Sequence, residues 1–426
     1  MLGYRKRPFI QAHSLLQKLR GDQSNLAVLK ELQILLLQEV MRAEKQIRSL
    51  KVALKPLVMN KSAARAKAST KRIEALRDTI FIWKCFGDAI AFIYLDKYAL
   101  KHTFYSTEYF KPKNEAGFLF GKEGLPNELA VMFSALEHNV PTMLCDLTNT
   151  IRHGDICMMG ESDPYLVEVK SSKGLDRRGR KQRKNLEILR EFYETDRSSR
   201  LRGMAVTRES QTIPEWDYAA ELNTCIADAL EHGIGTCLPE PGLHYIVLRT
   251  RDAKVDEALA AVKLEAPLMY MMNAERRDRT WAPYYPFTLT INDRDHLWAF
   301  LRGDVYIIVL VGTKYLESIA KDLGFEAVFD INGGSYPLTV TFGPEEKMQF
   351  SEYLLARIGF DCVSPSWLIR ESIERFRLLS AAHAKEFRTW APSEPNDPII
   401  DEKSGSDKIE VRQSPLYTIV VPSKLN

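Results

Sequence analysis

Seven apolar residues near the start of the chain, Leu36, Val40, Ala43, Ile47, Leu50, Leu54 and Leu57, alternate spacings of four and three. A stripe that recurs every 3.5 residues is narrow, and a helix buries it by laying it along another helix. The helical reading runs from about residue 9 to 58, with a break and restart at Gly21 and Asp22 and an end near Pro56. A second helix is expected from the small, basic segment 60–70 toward Lys101. Residues 1–103 are therefore expected to form a helical hairpin or coiled-coil arm.

Charge separates this arm from the rest. Residues 1–75 hold 16 Lys and Arg against 5 Asp and Glu, whereas the whole chain of 426 residues carries only +3, so the remainder is acidic on balance. A basic end suits a polyanion such as nucleic acid; a packing or dimerisation arm with solvated Lys and Arg outside gives the same count, and both readings stand. Six cysteines without any Cys-x-x-Cys pair argue against a disulfide framework or a zinc knuckle, and suit a reducing cytoplasm. The N-terminus lacks the apolar core of a signal peptide, and the most apolar window, 79–95, contains Lys84 and Asp88, which fits a buried helix and not a membrane span. A soluble, cytoplasmic protein is expected.

The length predicts two or three domains. Residues 104–240 read as an amphipathic helix over 125–139, with the stripe Leu125, Leu129, Met132, Phe133 and Leu136, then strands at 140–147, 155–159 and 165–170, a helix at 181–194 and a strand at 203–207. Residues 241–426 read as an α+β module. There the spacing predicts a loop cluster at 233–242, strands at 244–250, 268–272, 286–291, 305–311, 327–331 and 336–342, helices at 252–264, 314–323, 344–358 and 366–379, an acidic loop or tail at 392–414, and a last apolar run at 417–421.

The stretch from Gly154 to Lys170 carries the chemistry. Asp155 heads one apolar run, Gly160 to Pro164 form a turn, and a second run carries Glu168 and Lys170. Alternation places Leu166, Glu168 and Lys170 on one strand face and Val167 and Val169 on the other. A hairpin at the turn would bring Asp155 and Glu168 to a common end of the sheet, close enough to share a cation. Downstream, Lys173, Arg177, Arg178, Arg180, Lys181, Arg183 and Lys184 stand against a single acid, Asp176, a run suited to phosphate backbone. Asp146 and Asp163 are alternative acids nearby, Asp163 fitting the turn before Pro164. His153 could meet phosphate or simply lie in a surface turn.

The order helix with Glu128, strand, strand opening on Asp155, strand with Glu168-Val169-Lys170, helix, strand resembles the PD-(D/E)XK nuclease superfamily over residues 124–208. The resemblance implies a restriction-endonuclease-like αβββαβ core. It implies that Asp155, Glu168 and Glu128, with the Val169 carbonyl, hold Mg²⁺ or Mn²⁺, and that Lys170 orients a water. Glu137 is the alternative to Glu128, because periodicity puts both at comparable angles; the family pattern prefers the earlier one. Gly154 replaces the family's proline. Gln182 matches a substrate-touching helix glutamine, without the Gln-x-x-x-Tyr form.

Together these features predict a metal-dependent nuclease acting on DNA, in a bacterial or phage defence or repair setting. The terminal modules are expected to assemble a homo-oligomer or meet a protein partner. The alternative is a non-catalytic nucleic-acid-binding or scaffold protein that uses the basic arm and basic loop.

Overall fold

A computed structural model describes residues 5–59, 63–169, 177–204, 206–252, 255–330, 332, 334–344, 346–386 and 418–420. The chain starts with α1 (Lys6–Gly21), followed by two long helices, α2 (Leu26–Met59) and α3 (Ala63–Tyr94). The break at Gly21 and Asp22 falls where expected: Asp22 accepts from the Ser24 amide at 3.0 Å, and the Asn25 side chain accepts from the Val28 amide at 3.2 Å to start α2. The apolar seam is satisfied within the chain. Ala43 and Ile47 pack with Ile73 and Leu76 of α3, with Leu50 and Leu54 half-buried beside them. Pro56 does not end α2, which continues to Met59.

Toward its C-terminal end α3 is buried on nearly all sides, through Phe81, Ile82, Trp83, Cys85, Phe86, Ala89 and Ile90. One contiguous core joins these residues to Phe9 and Leu16 of α1, to Met143 and Leu147, and to Phe287, Trp298 and Ile369 far along the chain. Among the described residues no helix is long and apolar enough to cross a membrane.

After α4 (Lys97–Phe104) and α5 (Leu125–Glu137) comes an antiparallel meander of β1 (Thr142–Leu144), β2 (Ile156–Met158) and β3 (Tyr165–Val167), then α6 (Arg177–Thr195), β4 (Arg197–Ser198) and β5 (Val206–Thr207). The order helix, three strands, helix, strand is present, with two departures. The first strand stops at Leu144 and turns into a 3₁₀ segment, Cys145–Leu147. The last strand does not join the meander: β5 pairs with β4 in a separate ribbon. The outer edge of β1 is already closed, because the buried Gln33 of α2 donates to the Thr142 carbonyl at 2.9 Å and accepts from the Leu144 amide at 3.1 Å.

The remainder holds α7 (Ala219–His232), β6 (Ile234–Glu240), β7 (Leu243–Arg249), α8 (Val255–Ala260), β8 (Leu268–Met271), α9 (Met272–Asp278), α10 (Phe287–Thr290), α11 (Arg294–Arg302) and β9 (Val305–Val311). It continues with α12 (Thr313–Asp322), β10 (Glu326–Phe329), β11 (Leu338–Thr341), β12 (Lys347–Phe350), α13 (Glu352–Leu355), α14 (Arg357–Phe360), α15 (Pro365–Glu386) and β13 (Thr418–Val420). Two antiparallel sheets, ordered β6-β7-β9-β8 and β10-β11-β12-β13, make the protein a mixed α/β fold with several small sheets. Three sequence expectations fail here. The Gly- and Pro-rich segment 233–242 forms edge strand β6, a position that tolerates proline. Residues 286–291 make a buried helical turn, not a strand, and the helix expected over 344–358 is a strand followed by two short helices. The acidic segment 392–414 lies outside the described residues.

A buried ion cluster ties α4 to α14. Arg357 is 1% exposed and donates to Glu215 at 2.7 Å, to Asp361 at 2.8 Å and to the Tyr98 hydroxyl at 3.0 Å, while Lys97 pairs with the same Glu215. Burial alone would raise the Glu215 carboxyl, but Arg357 and then Lys97 more than offset it and hold it down at about 2, against an ordinary 4.5. A depressed carboxylate stabilises the fold above its unfolded pKa, and that stability is lost as pH falls from 4.5 toward 2. Glu215→Gln should therefore cost on the order of 3 kcal/mol at neutral pH and flatten the acid limb of the stability curve. Denaturant unfolding from pH 7 to pH 2 measures both, and an unchanged acid limb would show that the cluster contributes nothing.

Candidate functional site

The β2–β3 hairpin aligns Ile156 with Val167 and Met158 with Tyr165; the pairing ends there, and Asp155 and Glu168 are the next residues along the two chains. At this end the Asp155 amide donates to the carbonyl of Val167, the residue already opposite Ile156, so the β2–β3 register breaks at Asp155, while the Cys145 amide donates to the Asp155 carbonyl, both at 2.9 Å. Asp155 Oδ2 accepts from the Val169 amide at 2.9 Å, so Val169 presents its N–H to this carboxylate. Gly154 explains its own departure from the family pattern. Its φ is +75°, which the proline ring cannot adopt, and a Cβ there would lie 3.1 Å from the Val167 carbonyl oxygen. Leu166, expected on the open face with Glu168, is instead buried in the core, while Tyr165 and Val167 on the opposite face are exposed and half-buried. Glu168 itself is half-buried.

The residue at the centre of the site is Lys122. Its ammonium meets Glu128 of α5 at 2.8 Å, Asp146 of the 3₁₀ segment at 2.9 Å and Asp155 at 3.2 Å. Three carboxylates from three separate elements thus converge on one cationic point. Glu128 is buried while Glu137 is exposed, so the structure brings the earlier acid to the site. Burial pushes the Glu128 carboxyl up, with Asp155 and Asp146 adding to the effect and Lys122 opposing it. Burial works against the Lys122 ammonium, yet Asp146, Glu128 and Asp155 together hold its pKa well above the lysine range.

Helices α2 and α3 frame this cluster. Gly87 of α3 lets the chain after β1 approach so closely that a Cβ would fall 1.9 Å from the Leu147 carbonyl oxygen. One residue on, the buried Asp88 accepts from the Asn149 and Thr150 amides, both at 2.9 Å, and from the Asn149 side chain at 2.8 Å. The segment carrying Lys122 is docked on α2: Glu44 accepts from the Phe120 amide at 2.7 Å, Leu119 is buried, and the Lys51 ammonium lies 5.5 Å from the Phe118 ring centre.

Two basic surfaces are present. At the start of α6, Arg177, Arg180, Lys181, Arg183 and Lys184 are exposed and Gln182 is half-buried; Lys181 pairs with Glu108 at 3.0 Å and Arg183 with Glu187 at 3.0 Å. Lys170, Lys173 and the Arg178 side chain lie outside the described residues. On the hairpin, Lys45, Arg48, Lys51, Lys55, Arg65, Lys67, Lys71 and Arg72 are exposed, and the sequence holds no acid between Glu44 and Glu74. The other candidates are structural. His153 is buried, bonds the Tyr105 carbonyl at 2.9 Å and is held down to about 3, first by burial and then by Lys113; Asp163 pairs with Arg208.

Among the described residues no group of three or more His, Cys, Asp and Glu side chains is arranged to hold a metal ion. Contacts of 2.8 to 3.2 Å to an ammonium spread the oxygens wider than the 2.0 to 2.6 Å shell of Mg²⁺ or Ca²⁺. The donor set itself, oxygen from three carboxylates around a point already held by a cation, fits a hard divalent ion. Sequence reasoning did not find Lys122, six residues before Glu128 in an irregular connection, and ranked Asp146 only as an alternative. Comparison with known proteins finds no match to a family model, a curated protein or a solved structure.

The positive φ at Gly154 sets where Asp155 points. Gly154→Ala should cost about 1 to 2 kcal/mol, whereas Gly154→Asn, which tolerates this conformation, should cost less. Equal midpoints for all three proteins in urea unfolding would show that the backbone here relaxes freely.

Proposed function

We propose that this protein is a divalent-metal-dependent nuclease that hydrolyses phosphodiester bonds of nucleic acid, with double-stranded DNA as first substrate. The observation that carries the reading is the meeting of Glu128, Asp146 and Asp155 on one cationic point at the end of the β2–β3 hairpin, where Glu168 is the residue that follows β3. Glu128, Asp155 and Glu168 would hold Mg²⁺ or Mn²⁺, joined by Asp146, which the family resemblance does not include. The bound ion would polarise the scissile phosphate and lower the pKa of a water. Lys170, two residues beyond Glu168, takes the water-orienting role by resemblance. The exposed cations at the start of α6 and along the α2–α3 hairpin would grip the phosphate backbone, each contact adding about 0.9 to the salt slope.

A second reading has its own support. Lys122 already satisfies the carboxylates, and the hairpin cations alone suffice for a binding protein that never cuts. The two readings part on metal. With Mg²⁺ or Mn²⁺ the protein should cut duplex DNA, and Asp155→Asn or Lys170→Ala should slow cutting by roughly a hundred-fold or more with unchanged circular dichroism. DNA retention without cleavage, indifferent to divalent ions and to Glu168→Gln, would establish the binding reading instead.

A further inference from the structure

The segment 117–124 joins the two halves of the candidate site. At one end it carries Lys122 into the carboxylates. At the other it lies on the basic hairpin, through Phe118 beneath Lys51, the Phe120 amide on Glu44, and Gly121, whose Cβ position is 3.2 Å from the Arg48 guanidinium. Arg48 and Lys51 are exposed, lie against this strap and belong to the acid-free run of cations, so a polyanion on the hairpin would draw on cations that border it. The Lys122 side chain is 27% exposed, which leaves its ammonium a route to solvent by side-chain rotation while Leu119 stays buried. Its single charge faces three carboxylates, and a divalent ion brings twice that charge to the same point.

We propose that the strap is a latch, in which Lys122 keeps the carboxylate cluster closed and is released when nucleic acid takes up Arg48 and Lys51. The inference rests on the metal-site reading above but not on cleavage. Metal and ammonium compete for one position, so metal affinity reports the latch directly. A latch closed about ten times as often as it is open weakens the apparent metal affinity about ten-fold.

Isothermal titration of the full chain with Mn²⁺, with and without a short non-cleavable phosphorothioate duplex, tests this. The wild type should bind Mn²⁺ about ten-fold more tightly with the duplex present. Lys122→Met should bind that tightly without it and gain nothing further from it. In EDTA, Lys122→Met leaves three carboxylates without their counter-ion and should melt several degrees lower, with Mn²⁺ restoring the loss. A lysine with only a structural role would give no such rescue. Phe118→Ala, at a 40% exposed position, loosens the strap without touching the carboxylates and should shift Mn²⁺ affinity in the same direction by a smaller factor. Mn²⁺ affinity unchanged in both variants, or undetectable in all proteins, would overturn the latch. Tight Mn²⁺ binding by Lys122→Met without DNA cleavage would uphold the latch and reject the nuclease.

Discussion

The close approach of α3 to the chain leaving β1 decides where the acids stand. A side chain at Gly87 would collide with the Leu147 carbonyl, and the carboxylate of Asp88, fully buried, is spent on the amides of Asn149 and Thr150. Burial pushes the Asp88 carboxyl up, and these hydrogen bonds oppose that shift. The turn bearing Asp146 is thereby fixed to the helical spine. Gln33 does the same for the edge of β1 from α2. The small sheet is therefore built against the helical hairpin, and the seam residues that suggested a separate arm lead directly into the core that backs the site.

On that frame the electrostatics are unusual in kind. Groups of buried acids are costly unless a cation meets them, and removing one partner of such a set typically costs several kcal/mol. Here the cation comes from an irregular segment, not from the helices or strands that supply the acids. Three acids from separate parts of the chain are aimed at one lysine, whose single charge offsets their burial. The same segment reaches the basic hairpin, so the acidic and basic parts of the chain share one connection.

Much of this could be read from the sequence. The apolar seam, the helix expected over 125–139 and found over 125–137, and the hairpin of β2 and β3 follow from periodicity and turn chemistry, which are local. Burial then separates Glu128 from Glu137, a choice that helical angle alone left open. What stayed hidden depends on contacts between distant residues. Gln33 closes the edge of β1 more than a hundred positions away, and β5 pairs with β4 instead of with that sheet. Lys122 sits in a connection without period, and Asp146 gains its place only when the strand expected to continue through it turns at Cys145. In the C-terminal part, β6 and α10 escaped because edge position and burial override the preferences of Gly, Pro and β-branched residues.

Anomalous diffraction from crystals grown with Mn²⁺ and a short non-cleavable duplex would examine the site most directly. A peak within coordination distance of Asp146 and Asp155 oxygens, with the Lys122 ammonium withdrawn toward solvent, is the expected result. Lys122 still seated on Glu128, Asp146 and Asp155, with no peak among them, would contradict the assignment of these acids to a metal.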